Sequence, residues 1–355
     1  MRLNLMILAT DPRNGPSFSG MFKLVLAFGF CGITACASMS GGSSPSETSG
    51  ATSPALNAAG ADALRDSVVE ARSLLGEPLI RPTPSGQARA GMEERLSSAE
   101  RAYARTSFNA DSIIWLGRRT AYLGRFNDAI AIYTLGIATH ANDARLYRHR
   151  GHRYITIRQL DRAIADFQKA YDLTAGKPDQ VEPDGLPNAQ NIPTSTLKSN
   201  IRYHLGLAHY LLGDFDKAER LYAEDVAAAT NPDMVVASSH WLYMALRRLG
   251  RANEAAAVLD RISKDMAVIE NGTYHRLLLM YKGELSPADL LGTGEASSLD
   301  NVTAAYGVGN WQKYNGRAAD AERIFRDIVS KRAQWASFGY LAAEAELARG
   351  TTPRS

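Results

Sequence analysis

Cysteine is nearly absent: the 355 residues hold two, Cys31 and Cys36, both inside one apolar segment near the N-terminus. Everything from Ala37 onward lacks a thiol, which excludes structural disulfides and cysteine-ligated metals from the main body. Charge of one sign is missing too. A net charge of +3 is too small to mark a nucleic-acid-binding chain, and no nucleic-acid partner is expected. Catalytic signatures are also lacking: there is no HExxH helix, no GxxxxGK[ST] phosphate loop, and Gly307-Val308-Gly309 is too short for a dinucleotide fingerprint. The GPSFSG stretch at 15–20 lacks the strand-turn-helix setting of a nucleophile elbow. What is present is ordinary globular material, 45% apolar and 22% charged, enough to build a core.

Long apolar runs are confined to the N-terminus. Met21 to Ala35 reads MFKLVLAFGFCGITA, one lysine and then a run too short for a comfortable membrane span but suited to a signal-peptide core. Ile33-Thr34-Ala35 precede Cys36, an aliphatic residue and two small ones before a cysteine, which resembles the bacterial lipobox. That resemblance implies cleavage after Ala35 and lipidation of Cys36, with isoleucine in the place where leucine is commoner. The absence of aspartate after Cys36 implies the outer membrane. Residues 1–20 are atypical of a signal-peptide head, which leaves Met1 and Met21 both open as the start. Residues 36–60 are rich in Ser, Gly, Thr and Pro and cannot bury enough apolar surface to offset their ordering entropy; they read as a disordered, flexible tether. Residues 61–85 are expected to form an N-terminal helix, ADALRDSVVEARSLLG, and an extended segment.

The body repeats itself. WLGRRTAYLGRFNDAIAIYTLGI is matched 34 positions later by RGHRYITIRQLDRAIADFQKAYDL, with Gly117 against Gly151 and Tyr133 against Phe167. A Gly followed five residues on by Ala recurs as Gly124/Ala129, Gly213/Ala218, Gly250/Ala255, Gly283/Ala288 and Gly316/Ala321. Gly after a first helix supplies the left-handed turn that a side chain opposes, and Ala marks where two helices approach closely. The pattern resembles the tetratricopeptide repeat, which implies an all-α solenoid of stacked helix-turn-helix units over residues 86–349, followed by a short tail, 350–355. The proline the family often carries at the end of each unit is replaced by Ala141, Ala175 and Ala333, and the second helix of the unit at Gly283 reads as stunted. A long inserted loop, 174–199, carries four prolines and mixes Asp179, Glu182 and Asp184 with Val181, Leu186, Ile192 and Leu197. That mixture favours an ordered loop folded against the stack.

In this family the first helix of each unit lines the concave face. The resemblance therefore implies a partner-binding groove of Trp115, Arg118 and Tyr122 in the first unit and Arg145, Arg148, His149 and His152 in the second. The third unit adds Tyr203, His204 and Tyr210, the fourth His240, Trp241, Arg247 and Arg248, and the fifth Lys313 and Tyr314. Two readings of this aromatic, basic set stand side by side. One is an anion-preferring groove for an acidic peptide or a carboxylate-bearing envelope polymer; the other is a solvated basic helix face with packing aromatics. Arg119, Arg150 and Arg153 fall where the family prefers small or apolar residues, so each is expected to need an acid, with Glu182 and Asp184 of the loop on offer. Five histidines, His149, His152, His204, His209 and His240, lie on first helices among arginines that would repel a cation, so no metal and no cofactor is expected. The reading is a non-enzymatic, lipid-anchored, periplasm-facing scaffold that binds a protein or peptide; the alternative is a module for an anionic envelope ligand such as a peptidoglycan fragment.

Overall fold

The computed structural model describes residues 68–291 and 298–351. The expected signal peptide and tether, and residues 352–355, lie outside them. The described residues form an all-α solenoid of stacked hairpins, entered through one small β-hairpin.

A helix α1 (Gly86–Arg105) leads into six helical pairs. These are α2 (Ala110–Tyr122) with α3 (Phe126–Thr139), α4 (Ala144–Thr156) with α5 (Leu160–Thr174), and α6 (Leu197–Leu212) with α7 (Phe215–Ala228). Then come α8 (Pro232–Arg248) with α9 (Ala252–Val258), α10 (Gly272–Lys282) with the five-residue α11 (Pro287–Leu291), and α12 (Ser298–Tyr314) with α13 (Ala318–Ser330). A last helix, α14 (Phe338–Thr351), closes the stack. Side-chain caps start several first helices: Asn109 accepts from Asp111 N and Ser112 N, Asp143 from Arg145 N, Thr196 from Ser199 N and Asn231 from Met234 N. Each such cap stabilises its helix by about 1 kcal/mol.

The repeat is a packing unit. Ala129, Ala163, Ala218 and Ala255 are fully buried, and the residues four further on, Tyr133, Phe167, Tyr222 and Leu259, are buried with them. Each aromatic of these lies against a glycine of its partner helix: a Cβ on Gly117 would meet Tyr133, one on Gly151 would meet Phe167, and one on Gly206 would meet Tyr222. The hairpin turns at Gly124, Gly213, Gly250, Gly283 and Gly316 all take positive φ, between 75° and 87°. At the corresponding place in the α4–α5 turn stands Arg158, at φ 66°, a conformation that side chains oppose.

The stack coils tightly enough for its ends to meet. Tyr306 and Asn310 of α12 donate to the Tyr210 hydroxyl of α6, at 2.9 and 2.8 Å. From α14, Glu344 pairs with Arg158 at 2.7 Å and Arg349 donates to the Leu211 carbonyl at 2.6 Å. Just before α14, Trp335 sets its ring edge-on to Phe126, 5.4 Å between centroids, and donates Nε1–H to the Ile80 carbonyl at 2.6 Å.

The helix expected in 61–85 is not found in its described part. Residues Val69–Arg72 form β1, antiparallel to β2 (Pro78–Ile80), with Val69 opposite Ile80. Two facts decide against helix there. Gly76 takes φ 87° to turn the hairpin, and Glu70, 5% exposed, is held extended by Arg81 at 2.6 Å and by Asn127 at the start of α3. Backbone and side-chain bonds across 57 residues override local helical propensity.

Candidate functional site

The coil places the expected groove residues very unequally. From the third unit onward most of them pack against one another, although a cavity beside the strap is still lined by Tyr203 and His204. Tyr210, His240 and Trp241 are 0–1% exposed. Trp241 donates Nε1–H to the Tyr203 hydroxyl at 2.7 Å, and His240 stacks on Tyr274 at 4.6 Å. Arg247 lies over the Tyr314 ring, while Arg248 and Lys313 both close on Glu346 of α14. The groove expected along all five units is therefore largely filled from Tyr210 onward, because α12 and α14 return onto the end of α6 and occupy it.

The first two units keep a partly open inner mouth. Trp115, Arg118 and Tyr122 of α2 are half-buried, as is His152 of α4. The Arg118 and Arg119 guanidiniums lie over the Trp115 ring at 4.6 and 4.8 Å, a cation–π geometry. Arg145 turns away to Asp143 and Asp111, 2.6 Å each. Arg148 and His149 are buried, at 7% and 6%. His149 stacks on Tyr133, and His152 meets His204 at 4.5 Å beside Phe338. Burial first, and then the neighbouring arginines, push all three of these histidines well below the usual imidazole range, so they are neutral. His149 Nδ1 accepts from Arg148 at 3.2 Å, and His204 Nδ1–H donates to the Asn200 carbonyl at 2.6 Å.

The inserted segment, residues 175–196, is an ordered strap across this mouth. It closes on itself through Glu182 N–H to Ser195 O at 3.1 Å and Leu197 N–H to Gln180 O at 2.9 Å. On α2, Arg118 donates to Pro183 O at 2.8 Å and Arg119 to Gly185 O at 2.7 Å. At its far side Asn188 and Thr194 donate to Glu270, at 2.7 and 2.6 Å. The acid pairing differs from expectation. Glu182 sits on Arg148 at 3.0 Å; Arg119 takes a carbonyl instead, Arg150 pairs with Asp166 of its own hairpin at 2.7 Å, and Arg153 has no acid among the described residues. Asp184 pairs with none of the three, and its buried Oδ2 has no hydrogen-bond partner. Helix register explains Arg150: α4 and α5 pack side by side, so Asp166 is nearer than any loop residue.

Sequence reading passed over Gly185. A Cβ there would lie 1.6 Å from the Tyr122 hydroxyl and 2.7 Å from Arg118 Nη2, so a side chain at 185 would displace those side-chain ends or the strap itself. It also passed over Glu344 and Glu346, whose partners lie 98 or more residues away for Arg248 and Arg158. Among the described residues no group of three or more His, Cys, Asp or Glu could hold a metal ion, and no helix is long and apolar enough to cross a membrane.

No protein-family model matches the chain and no curated protein matches it. Among solved structures it is similar to YrrB, described as a TPR protein with an unusual peptide-binding site, at 14% identity over 66% of this chain and 92% of that one, TM-score 0.39. It is similar to the TPR-like repeats of a putative kinesin light chain of Podosopora anserina, at 15% identity over 63% and 93%, TM-score 0.37. A third likeness is to Naa15/Naa10 bound to HypK-THB, at 16% identity over 68% of this chain and 34% of that one, TM-score 0.33.

Proposed function

We propose that this protein is a non-catalytic scaffold that captures a polypeptide partner on the face built by the strap and the first two hairpins. One observation carries the reading. The strap is pinned at its ends and middle, yet it presents Val181, Leu186 and Ile192 to solvent at 62%, 50% and 48% exposure. A fixed loop with apolar side chains held outward is a pre-organised contact surface, since its ordering entropy is already lost before a partner arrives. The half-buried Trp115, Arg118 and Tyr122 behind it favour a partner segment that carries acids beside its apolar anchors.

The Ile33-Thr34-Ala35-Cys36 sequence supports a lipid anchor on Cys36 at the outer membrane, with the body facing the periplasm. Confinement to one surface raises the effective concentration of a partner held there, so a modest face suffices. Lipid attachment is checked by mass spectrometry of the mature N-terminus, which should begin at an acylated Cys36.

Gly185→Ala tests the docking face. Its added methyl disrupts the packing of the strap on Tyr122 and Arg118 and touches none of the helix–helix contacts. Affinity capture from detergent-solubilised envelope should retain a discrete polypeptide on the native protein and lose at least tenfold of it on the variant, at unchanged helical circular dichroism. Equal retention by both, or retention on purified cell-wall sacculi in place of any polypeptide, refutes the reading.

A further inference from the structure

Several of the buried and half-buried arginines pair with acids, while Arg118 and Arg119 take carbonyls of the strap. Arg150 has Asp166, Arg158 has Glu344, Arg202 has Asp225, Arg248 has Glu346 and Arg148 has Glu182. Arg153 of α4, half-buried, has no hydrogen bond or ion pair with a described residue, and its guanidinium rests over the Phe126 ring at 5.6 Å. It lies one turn beyond His149 on α4, in the chamber behind the strap. Arg118 enters the same chamber from α2, its Nε 3.4 Å from the Tyr122 hydroxyl. Arg148 and Arg118 lie close enough to Arg153 to add to the effect of burial in lowering its pKa. The chamber thus gathers three guanidiniums and three neutral imidazoles beside two strap carboxylates, Glu182, which is already spent on Arg148, and Asp184, which lies near Arg118 and pairs with none of the three.

An unneutralised guanidinium in such surroundings is costly, and planar forks of this kind match the two oxygens of a carboxylate or phosphate. We infer that the chamber is an oxyanion pocket in which Arg153 and Arg118 hold a carboxylate or phosphate group. His152, neutral and half-buried beside Arg153, has ring N–H capacity to complete the donor set. The group comes either from a free small anion or from an acidic side chain of a bound polypeptide, and the chemistry of the pocket is the same for both.

The test is thermal unfolding of the full chain in detergent, at fixed pH and ionic strength. The probes are inorganic phosphate and, separately, a glutamate-rich decapeptide. Phosphate or the peptide should raise Tm by about 2–4 °C at saturation. Arg153→Met should abolish the rise and, without either probe, unfold at a higher temperature than the native chain because an unpaired charge is gone. Arg153→Lys, which keeps the charge and loses the fork, should bind at least tenfold more weakly, and the exposed Arg323→Met should respond like the native chain. A response to phosphate alone assigns the pocket to a free anion; a response to the peptide at lower concentration assigns it to a partner's side chain. No response of the native chain to either probe overturns the inference, as does an undiminished response in Arg153→Met or, should that variant not fold, in Arg153→Lys.

Discussion

Replacing Glu346 by alanine should destabilise the folded chain by about 3–5 kcal/mol, the range found when one partner is removed from a buried ion pair. Its carboxylate is fully buried and gathers Arg248, Lys313 and Arg349. Without it, three cations from α8, α12 and α14 converge on an uncompensated site, and α14 loses its hold in the coil. The same cluster sets an acid limit. Burial by itself raises the Glu346 pKa, but Arg248, Arg349 and Lys313 outweigh it and hold the carboxyl down to about 2 against an ordinary 4.5. A depressed carboxylate pKa contributes stability that is fully present above the unfolded value and is lost as pH falls through the folded one. The native chain should therefore lose about 3 kcal/mol between pH 4.5 and 2 from this residue. In Glu346→Gln that contribution is already gone at neutral pH. Denaturant unfolding at pH 7 and pH 3 reads both effects: the difference between native and variant shrinks at the lower pH.

Arg158→Gly carries the second large effect, and its sign is informative. The turn at Arg158 has positive φ where the other hairpins place glycine, so the substitution relieves about 1–2 kcal/mol of backbone strain. Against that, Glu344, 1% exposed, loses its charged partner Arg158, and the Trp335 carbonyl loses a 2.8 Å donor. Removing one member of a buried pair costs about 3–5 kcal/mol, so a net loss of about 2–3 kcal/mol is expected. Adding Glu344→Gln should restore most of it, measured by chemical denaturation of the single and double variants. A glycine that stabilises on its own would show that the arginine does not serve to hold α14.

The repeat was legible because its cause is local. Glycine, alanine and an aromatic recur at fixed offsets since each pair of helices meets its neighbour in the same way, so the turns at Gly124, Gly213, Gly250 and Gly316 and the buried Tyr133, Phe167 and Tyr222 could be marked from the chain alone. The inserted strap was legible from its length and its prolines. The closure of the coil was not. Glu344 and Arg158 are separated by 186 residues, and nothing near either announces the other. The α14 sequence shows only an amphipathic end helix, so the chain alone gives no sign that α12 and α14 occupy the inner face. Residues near Val69 fell to a helical reading because an extended Glu70 makes sense only against Arg81 and Asn127. The arginines show both outcomes. That a buried guanidinium needs an acid follows from elementary electrostatics, but which acid depends on helix register, and Arg150 found Asp166 while the loop acid went to Arg148.

The central claim is that the inner coil is closed by the chain itself and that partners meet the strap. Photo-crosslinking in the native envelope, from a photoreactive residue placed at Leu186 or at Tyr210, tests it directly. Leu186 is 50% exposed and Tyr210 fully buried. Leu186 should yield discrete polypeptide adducts that disappear in Gly185→Ala, and Tyr210 only adducts within the chain. Intermolecular adducts from Tyr210, with none from Leu186, would contradict it.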